Sequence, residues 1–355
     1  MKYSFAALSL AGMASAAAIN AKELASPISV SLASVDHTTV KATITNTGSQ
    51  GYNIMHKGTL LDTLPVNKFR VTKDSASARF VGVKLRMSTT GFEADDFTAL
   101  APGESKEVVV DLAQLYGLDA SGLYDINAVG SFRFAELNST ELVQGGRLSF
   151  TSNHLSLTVD GAKASQVTKA IHAALASRST IQSDCSASQK TTIADGERRC
   201  AAQANAAATA ALSGSATKFQ EYFKSTATKD RQLVANRLKA VAKECTSTPG
   251  GILAVHCADV YNFCTSNTFA YTVSEDDAVV WCNQYWTHAT ETTQCHGDDK
   301  AGTTIHEYTH ASSVFSPGTE DNAYGYADCM QLSRAEALNN ADTYEYFANA
   351  IHLGC

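Results

Sequence analysis

"TTIHEYTHASSVF", residues 303–315, sets two histidines around a glutamate as His306-Glu307-x-x-His310. Histidines at i and i+4 lie one above the other on a helix face. From there both imidazoles reach one zinc ion at about 2.0–2.1 Å. The glutamate between them stands beside the same face, placed to take a proton from metal-activated water. The stretch therefore predicts a helix carrying half of a zinc site, with Ile305 and the apolar residues after His310 on its buried side.

A catalytic zinc needs a third protein ligand and an open position. The longer H-E-x-x-H-x-x-G-x-x-H pattern fails, because Ser313 and Ser316 stand where Gly and His are required. Downstream oxygen donors are Glu320, Asp321, Asp328, Glu336, Asp342 and Glu345, and spacing alone does not choose among them. Glu336 suits a His₂Glu site. It also completes Ser333-x-x-Glu336, a capping box. Asp342-x-x-Glu345 offers a similar cap to the last helix.

The half-site lies in the cysteine-bearing part of the chain. All nine cysteines fall between Cys185 and Cys355, and residues 1–184 have none. An odd count leaves at least one thiol unpaired within the chain. Residues 1–18, "MKYSFAALSLAGMASAAA", combine one lysine, a short apolar run and small residues at Ala14-Ser15-Ala16. That pattern predicts a secretory signal peptide, hence an oxidising destination that favours disulfides. No later segment is apolar for long enough to span a bilayer, so no membrane partner is expected.

Charge follows the same division. Residues 251–355 hold two basic residues, Lys300 and Arg334, against fourteen acidic ones, a formal charge of −12. Residues 180–250 hold ten basic and six acidic residues, a formal +4. An acidic surface beside a cleft attracts basic partners and repels nucleic acid.

Residues 27–160 read as strands. Ile28, Val30 and Leu32 alternate with polar residues, as do Val40, Ala42 and Ile44, and Leu155, Leu157 and Val159. Turn signals such as "APGES" separate them, which predicts an antiparallel β-sandwich. Asn138-Ser139-Thr140 is a glycosylation sequon. Residues 161–180 read as a linker or short helix. Beyond Cys185 the pattern turns helical, with Leu233, Val234, Leu238 and Val241 on one face of residues 229–245. "GILAVHC", "TFAYTV" and "AVVWC" read as strands of a small sheet, and helical signals return from 303. The second half is therefore α+β.

"HEYTH" (306–310), "GTEDNAYG" (318–325), "LNNAD" (338–342) and the terminal Cys355 together resemble the deuterolysin family, the secreted fungal aspzincin endopeptidases also called neutral protease II. The likeness spans about residues 180–355, and the layout of signal, cysteine-free propeptide and enzyme fits as well. It implies a signal peptide at 1–18, a β-sandwich propeptide at 19–179, and a zincin-like, mainly helical catalytic domain with a small sheet at 180–355. It implies one zinc ion, held by His306, His310 and Asp342, which excludes Glu336. Glu307 becomes the general base. Asp321 is a second acid needed for catalysis, expected to orient His310 or another ligand. Tyr285, three residues after Cys282, becomes the donor to the oxyanion.

The resemblance also implies the pairs Cys185–Cys257, Cys264–Cys282 and Cys295–Cys355. Cys200 and Cys245, on separate predicted helices, then offer a fourth bridge, leaving Cys329 free. The mature chain is expected to start near Thr180, where Ser177-Arg178-Ser179 provides one arginine rather than a dibasic signal. Expected partners are protein substrates, basic ones preferred, and the chain's own propeptide before maturation. The alternative is a secreted β-sandwich binding module whose metal site is structural or inactive. Glu307 separates the two readings, because a structural site has no use for a general base.

Overall fold

The computed structural model describes residues 26–169, 181–247 and 251–355. The expected signal peptide at 1–18 and the expected maturation point near Thr180 lie outside the described residues. So does the C-terminal part of the linker.

The alternating residues of the first half point inward. Ile28, Val30 and Leu32 are buried, and so are Val40, Ala42, Ile44, Leu157 and Val159. Strand Ile28–Ser34 pairs antiparallel with Thr39–Asn46, which also pairs with Ser105–Asp111. A second antiparallel sheet runs Leu142–Thr151, Val129–Glu136, Tyr52–Met55, Phe97–Leu100. A third joins Leu155–Val159, Gly122–Asn127, Arg70–Lys73 and Ala76–Ser77. Val30 and Ile44, Phe132 and Leu148, and Tyr124 and Leu157 bring all three sheets into one apolar core. Each such aliphatic side chain contributes roughly 1.5–3 kcal/mol when fully buried. In the turn at Ala101-Pro102-Gly103-Glu104, Gly103 takes φ +75°, and the Glu104 amide donates to the Ala101 carbonyl. Proline followed by glycine is the pair such a turn favours.

In the second half, the alanine-rich helix Ala187–Ser213 opens with a capping box from Ser186 and Gln189. Its Ala204, Ala207, Ala208 and Ala211 are fully buried, and they let the helix Thr228–Cys245 pack closely, with Val234, Leu238 and Val241 turned inward. Leu233 is only partly buried at the edge of that face. Cys200–Cys245 clamps the two helices. The three other bridges are Cys185–Cys257, Cys264–Cys282 and Cys295–Cys355, and the buried Cys329 is free. These are the pairings expected from the sequence. Among the described residues no helix is long and apolar enough to cross a membrane.

The small sheet places the site. Ala254–His256 runs parallel to Ala278–Trp281, which runs antiparallel to Thr268–Val273. A fourth strand comes from the other half of the chain. Val83–Met87 pairs antiparallel with Thr268–Val273 and covers what is otherwise the sheet's edge. Val83, Leu85 and Met87 pack with Tyr271, Val273 and Tyr324 in an apolar cluster shared by both halves. Behind the sheet lies the helix Lys300–His310, every residue of it buried. Asp299 caps it, accepting from the Gly302 amide at 2.6 Å. The C-terminal helix Ala341–Leu353 packs across it.

Candidate metal centre

Helix geometry delivers what the sequence spacing promised. His306 and His310 are fully buried, their rings 4.7 Å apart between centroids. Their Nε2 atoms converge to 3.0 Å. Asp321 Oδ1 stands 3.2 Å from each. Three ligands on a tetrahedral zinc with bonds near 2.05 Å are about 3.3 Å apart. The triangle matches that spacing.

Asp321 arrives on the loop after the helix. Gly318 lets that loop close, since a Cβ there would sit 2.0 Å from the His310 carbonyl oxygen. The next residue, Thr319, holds His310 from behind: its carbonyl oxygen is 3.0 Å from His310 Nδ1. A proton on Nδ1 leaves the Nε2 lone pair aimed at the triangle.

Asp342 departs from the role expected of it as the third ligand. Its Oδ1 lies 2.7 Å from His306 Nδ1, the ring nitrogen opposite the one that converges with His310. Its donor group is His306 with Glu345, not His306 with His310. The reason is where the elements lie. Asp342 sits in the first turn of the C-terminal helix, which approaches His306 from the far side. Nor does it cap that helix: the N-cap position is Asn340. Asp321, expected only to orient a ligand, is the carboxylate inside the triangle.

The other acidic candidates lie outside the triangle, though Glu345 Oε2 stands 3.5 Å from His306 Nδ1. Glu336 forms the capping box with Ser333. Glu320 pairs with Lys84, Asp328 with Arg133, and Glu345 with Arg86. Tyr285 also departs from expectation. Its ring stacks on Trp281, and its hydroxyl points at Gly196 of the alanine-rich helix, next to Thr304. Thr304 is two residues before His306, so it faces away from the histidine pair. Tyr324 is the tyrosine near the triangle. Its ring lies parallel to His306 at 6.5 Å, and its hydroxyl donates to the Leu85 carbonyl at 2.8 Å. The sequence signal for it was its place in "GTEDNAYG", three residues after Asp321.

The field of the site is strongly coupled. Burial raises the Glu307 carboxyl to about 8, against the opposing pull of His306 and the Thr272 hydroxyl. Thr272 donates to Glu307 Oε2 at 2.5 Å. Burial alone would lower His306, but Asp321, Asp342 and Glu345 outweigh it and raise the group well above its ordinary value. Against the cost of burial, His310 and His306 hold Asp321 well below the usual carboxylate range. Burial and the neighbouring Asp321 and Asp342 keep Tyr324 protonated.

A model of the deuterolysin metalloprotease (M35) family matches residues 1–355. The chain is 43% identical over 354 residues to a "Neutral protease 2 homolog" of Phaeosphaeria nodorum, covering 99% of this chain and 98% of that one. It is 39% identical over 332 residues to "Neutral protease 2" of Aspergillus oryzae, covering 92% of each. A solved "zinc peptidase from Grifola frondosa" is similar at 24% identity and TM-score 0.39, covering 47% of this chain and 97% of that one.

The chain belongs to the deuterolysin metalloprotease (M35) family.

It is thereby a zinc metalloendopeptidase. The donors in this chain fit such an ion. Two imidazole nitrogens and one carboxylate oxygen are a usual zinc set. Glu307 Oε1, Asp321 Oδ1, Asp342 Oδ1 and His306 Nδ1 are all buried without a hydrogen-bond partner among the described residues. Buried oxygens left that way cost about 1–3 kcal/mol each unless something else satisfies them. A cation bound at Asp321 Oδ1 would do so.

Proposed function

We propose that this protein is a secreted proenzyme, with a signal peptide at 1–18, a prosegment at 19–179 and a mature endopeptidase at 180–355. His306 and His310 would hold one zinc ion through Nε2, with Asp321 completing the set through Oδ1. Asp342 orients His306 from Nδ1. The observation that carries the reading is the triangle of two Nε2 atoms and one carboxylate oxygen beside the buried Glu307.

A zinc ion bound there supplies Lewis acidity, polarising the scissile carbonyl and acidifying water. Glu307 is the general base. Its Oε2 is tied to Thr272, so Oε1 is the oxygen left to accept the water's proton and pass it to the leaving amine. Tyr324, rather than Tyr285, donates to the carbonyl oxygen as negative charge develops there. Its bond to a backbone carbonyl in the cleft supports this role.

The substrates are proteins, basic ones preferred. Support comes from the formal −12 carried by residues 251–355, which draws cationic chains towards the cleft. The test is Glu307→Gln in the processed enzyme. Zinc content should stay near one per chain while peptide hydrolysis falls at least a hundredfold. Undiminished hydrolysis by Glu307→Gln would refute the mechanism.

A further inference from the structure

The strand Val83–Met87 does more than cover a sheet edge. Lys84 pairs with Thr272, Leu85 with Tyr271 and Arg86 with Ala270. Thr272 touches Glu307, so this face of the edge strand is the one turned to the catalytic helix. Side chains alternate along a strand. Lys84 and Arg86 therefore point to the site, while Val83, Leu85 and Met87 join the apolar cluster behind.

Several groups of the inserted strand find partners around the site. The Leu85 amide donates to Asp321 Oδ2 at 3.1 Å, and the Leu85 carbonyl accepts from Tyr324. The two peptide groups flanking Leu85 are thus held, one by Asp321 and the other by Tyr324, the residue proposed to meet a substrate's carbonyl. Lys84 Nζ donates to the Thr319 carbonyl at 2.6 Å and lies 3.2 Å from Glu320. Arg86 is fully buried. Its Nε and Nη2 donate to both oxygens of Glu345, at 2.8 and 3.0 Å, and Nη2 also reaches Asp298 at 2.6 Å. Asp342 Oδ1 stands 3.5 Å from Nε, and the guanidinium lies over the Phe269 ring.

Such a buried fork is stable only as a unit. A bidentate guanidinium satisfies two acceptors in one plane. Removing it leaves Glu345 and Asp342 facing each other as buried like charges, an arrangement that is strongly unfavourable. Main-chain pairing on a sheet edge with side chains in pockets is also how extended peptides are recognised.

We infer that Val83–Met87 is an internal substrate-like plug that keeps the uncut chain latent, and that Arg86 is the latch holding it in place. This rests on the reading of residues 19–179 as a removable prosegment on a peptidase. Lys84 and Arg86 occupy space that an extended basic segment of substrate takes after maturation.

The test uses the full-length chain, checked as intact by mass, with initial rates on a short fluorogenic peptide. Wild type should be at least a hundredfold less active uncut than after processing. Arg86→Ala should raise the uncut rate at least tenfold, and Arg86→Lys less. Leu85→Pro, which removes the amide donated to Asp321, should also release activity. A readout independent of turnover is hydrogen exchange in Glu307→Gln chains, which cannot process themselves. Amides of Thr268–Val273 should be protected there and should exchange faster when Arg86→Ala is added. Unchanged latency and unchanged protection in Arg86→Ala, from chains that reach full activity once cut, overturn the latch. A wild-type chain fully active while uncut overturns the plug. A processed wild type without peptidase activity would instead overturn the proposed function.

Discussion

Asp342 Oδ1 and His306 Nδ1 lie 2.7 Å apart, on the side of the imidazole turned away from His310. One histidine thus stands between two aspartates, Asp321 at Nε2 and Asp342 at Nδ1. The first is in position to bind a metal ion; the second is placed, on the proposed reading, to orient the ring and raise its basicity. Carboxylates behind a metal-bound histidine act in this way.

The two aspartates should separate on substitution. Asp321→Ala removes a ligand, and the processed chain should lose zinc on dialysis against a weak chelator. Asp342→Asn should keep zinc but bind it roughly 10–100-fold more weakly. Zinc titration of both variants checks this. Stoichiometric tight zinc in Asp321→Ala would show that the triangle has been misread.

The two tyrosines should separate as well. Tyr324→Phe should lower kcat by roughly 10²–10³, the usual cost of losing one oxyanion donor, with little change in KM. Tyr285→Phe should leave kcat within a few-fold, because its hydroxyl sits against Gly196 behind the catalytic helix. Steady-state kinetics decide the matter, and the reverse ranking would restore Tyr285 as the donor.

Asp299 gives a pH signature. Burial raises its carboxyl from the ordinary 3.8 to about 6, despite bonds from the Gly302 and Thr292 amides. The folded state therefore holds this proton more tightly than the unfolded state does. Its contribution is fully present below pH 4 and is lost as pH rises through about 6, an effect of up to about 3 kcal/mol. Urea unfolding of wild type and Asp299→Asn between pH 4 and 6.5 should show their difference changing by that order, with wild type losing ground as pH rises. A pH-independent difference would contradict the assignment.

The Cys200–Cys245 bridge joins residues 45 apart across two helices. A loop of that length implies about 4 kcal/mol in the chain-entropy account, and roughly 2–4 is usual in practice. A Cys200→Ala, Cys245→Ala chain should unfold at lower denaturant by that amount, with unchanged activity at 25 °C. An unshifted midpoint would mean that the alanine face alone holds the helices.

Local pattern made part of this molecule readable. His306, Glu307 and His310 share one helix turn, so their spacing carries their geometry. Ile28, Val30 and Leu32 alternate, and a strand with one buried face writes itself that way. The third ligand was not readable by the same means. Asp321 and Asp342 both reach His306, and linear distance along the chain does not say which ring nitrogen each meets. The family resemblance pointed to the two carboxylates that approach His306, but which ring nitrogen each one meets depends on the side from which its element approaches. Arg86 left no local trace at all. It stands 259 residues from Glu345, and their contact follows from a strand joining the sheet of the other half.

All four disulfides join cysteines between Cys185 and Cys355, and residues 1–184 contain no cysteine. The halves are therefore tied covalently by the backbone alone. A single cut between residues 169 and 181 turns a tethered contact into an encounter between two molecules. The effective concentration of the strand at the cleft is then set by the surrounding volume instead of by the tether. On the proposed secretion and maturation that volume is large, so dilution itself would make activation one-way, and no reductant would be needed to separate the parts.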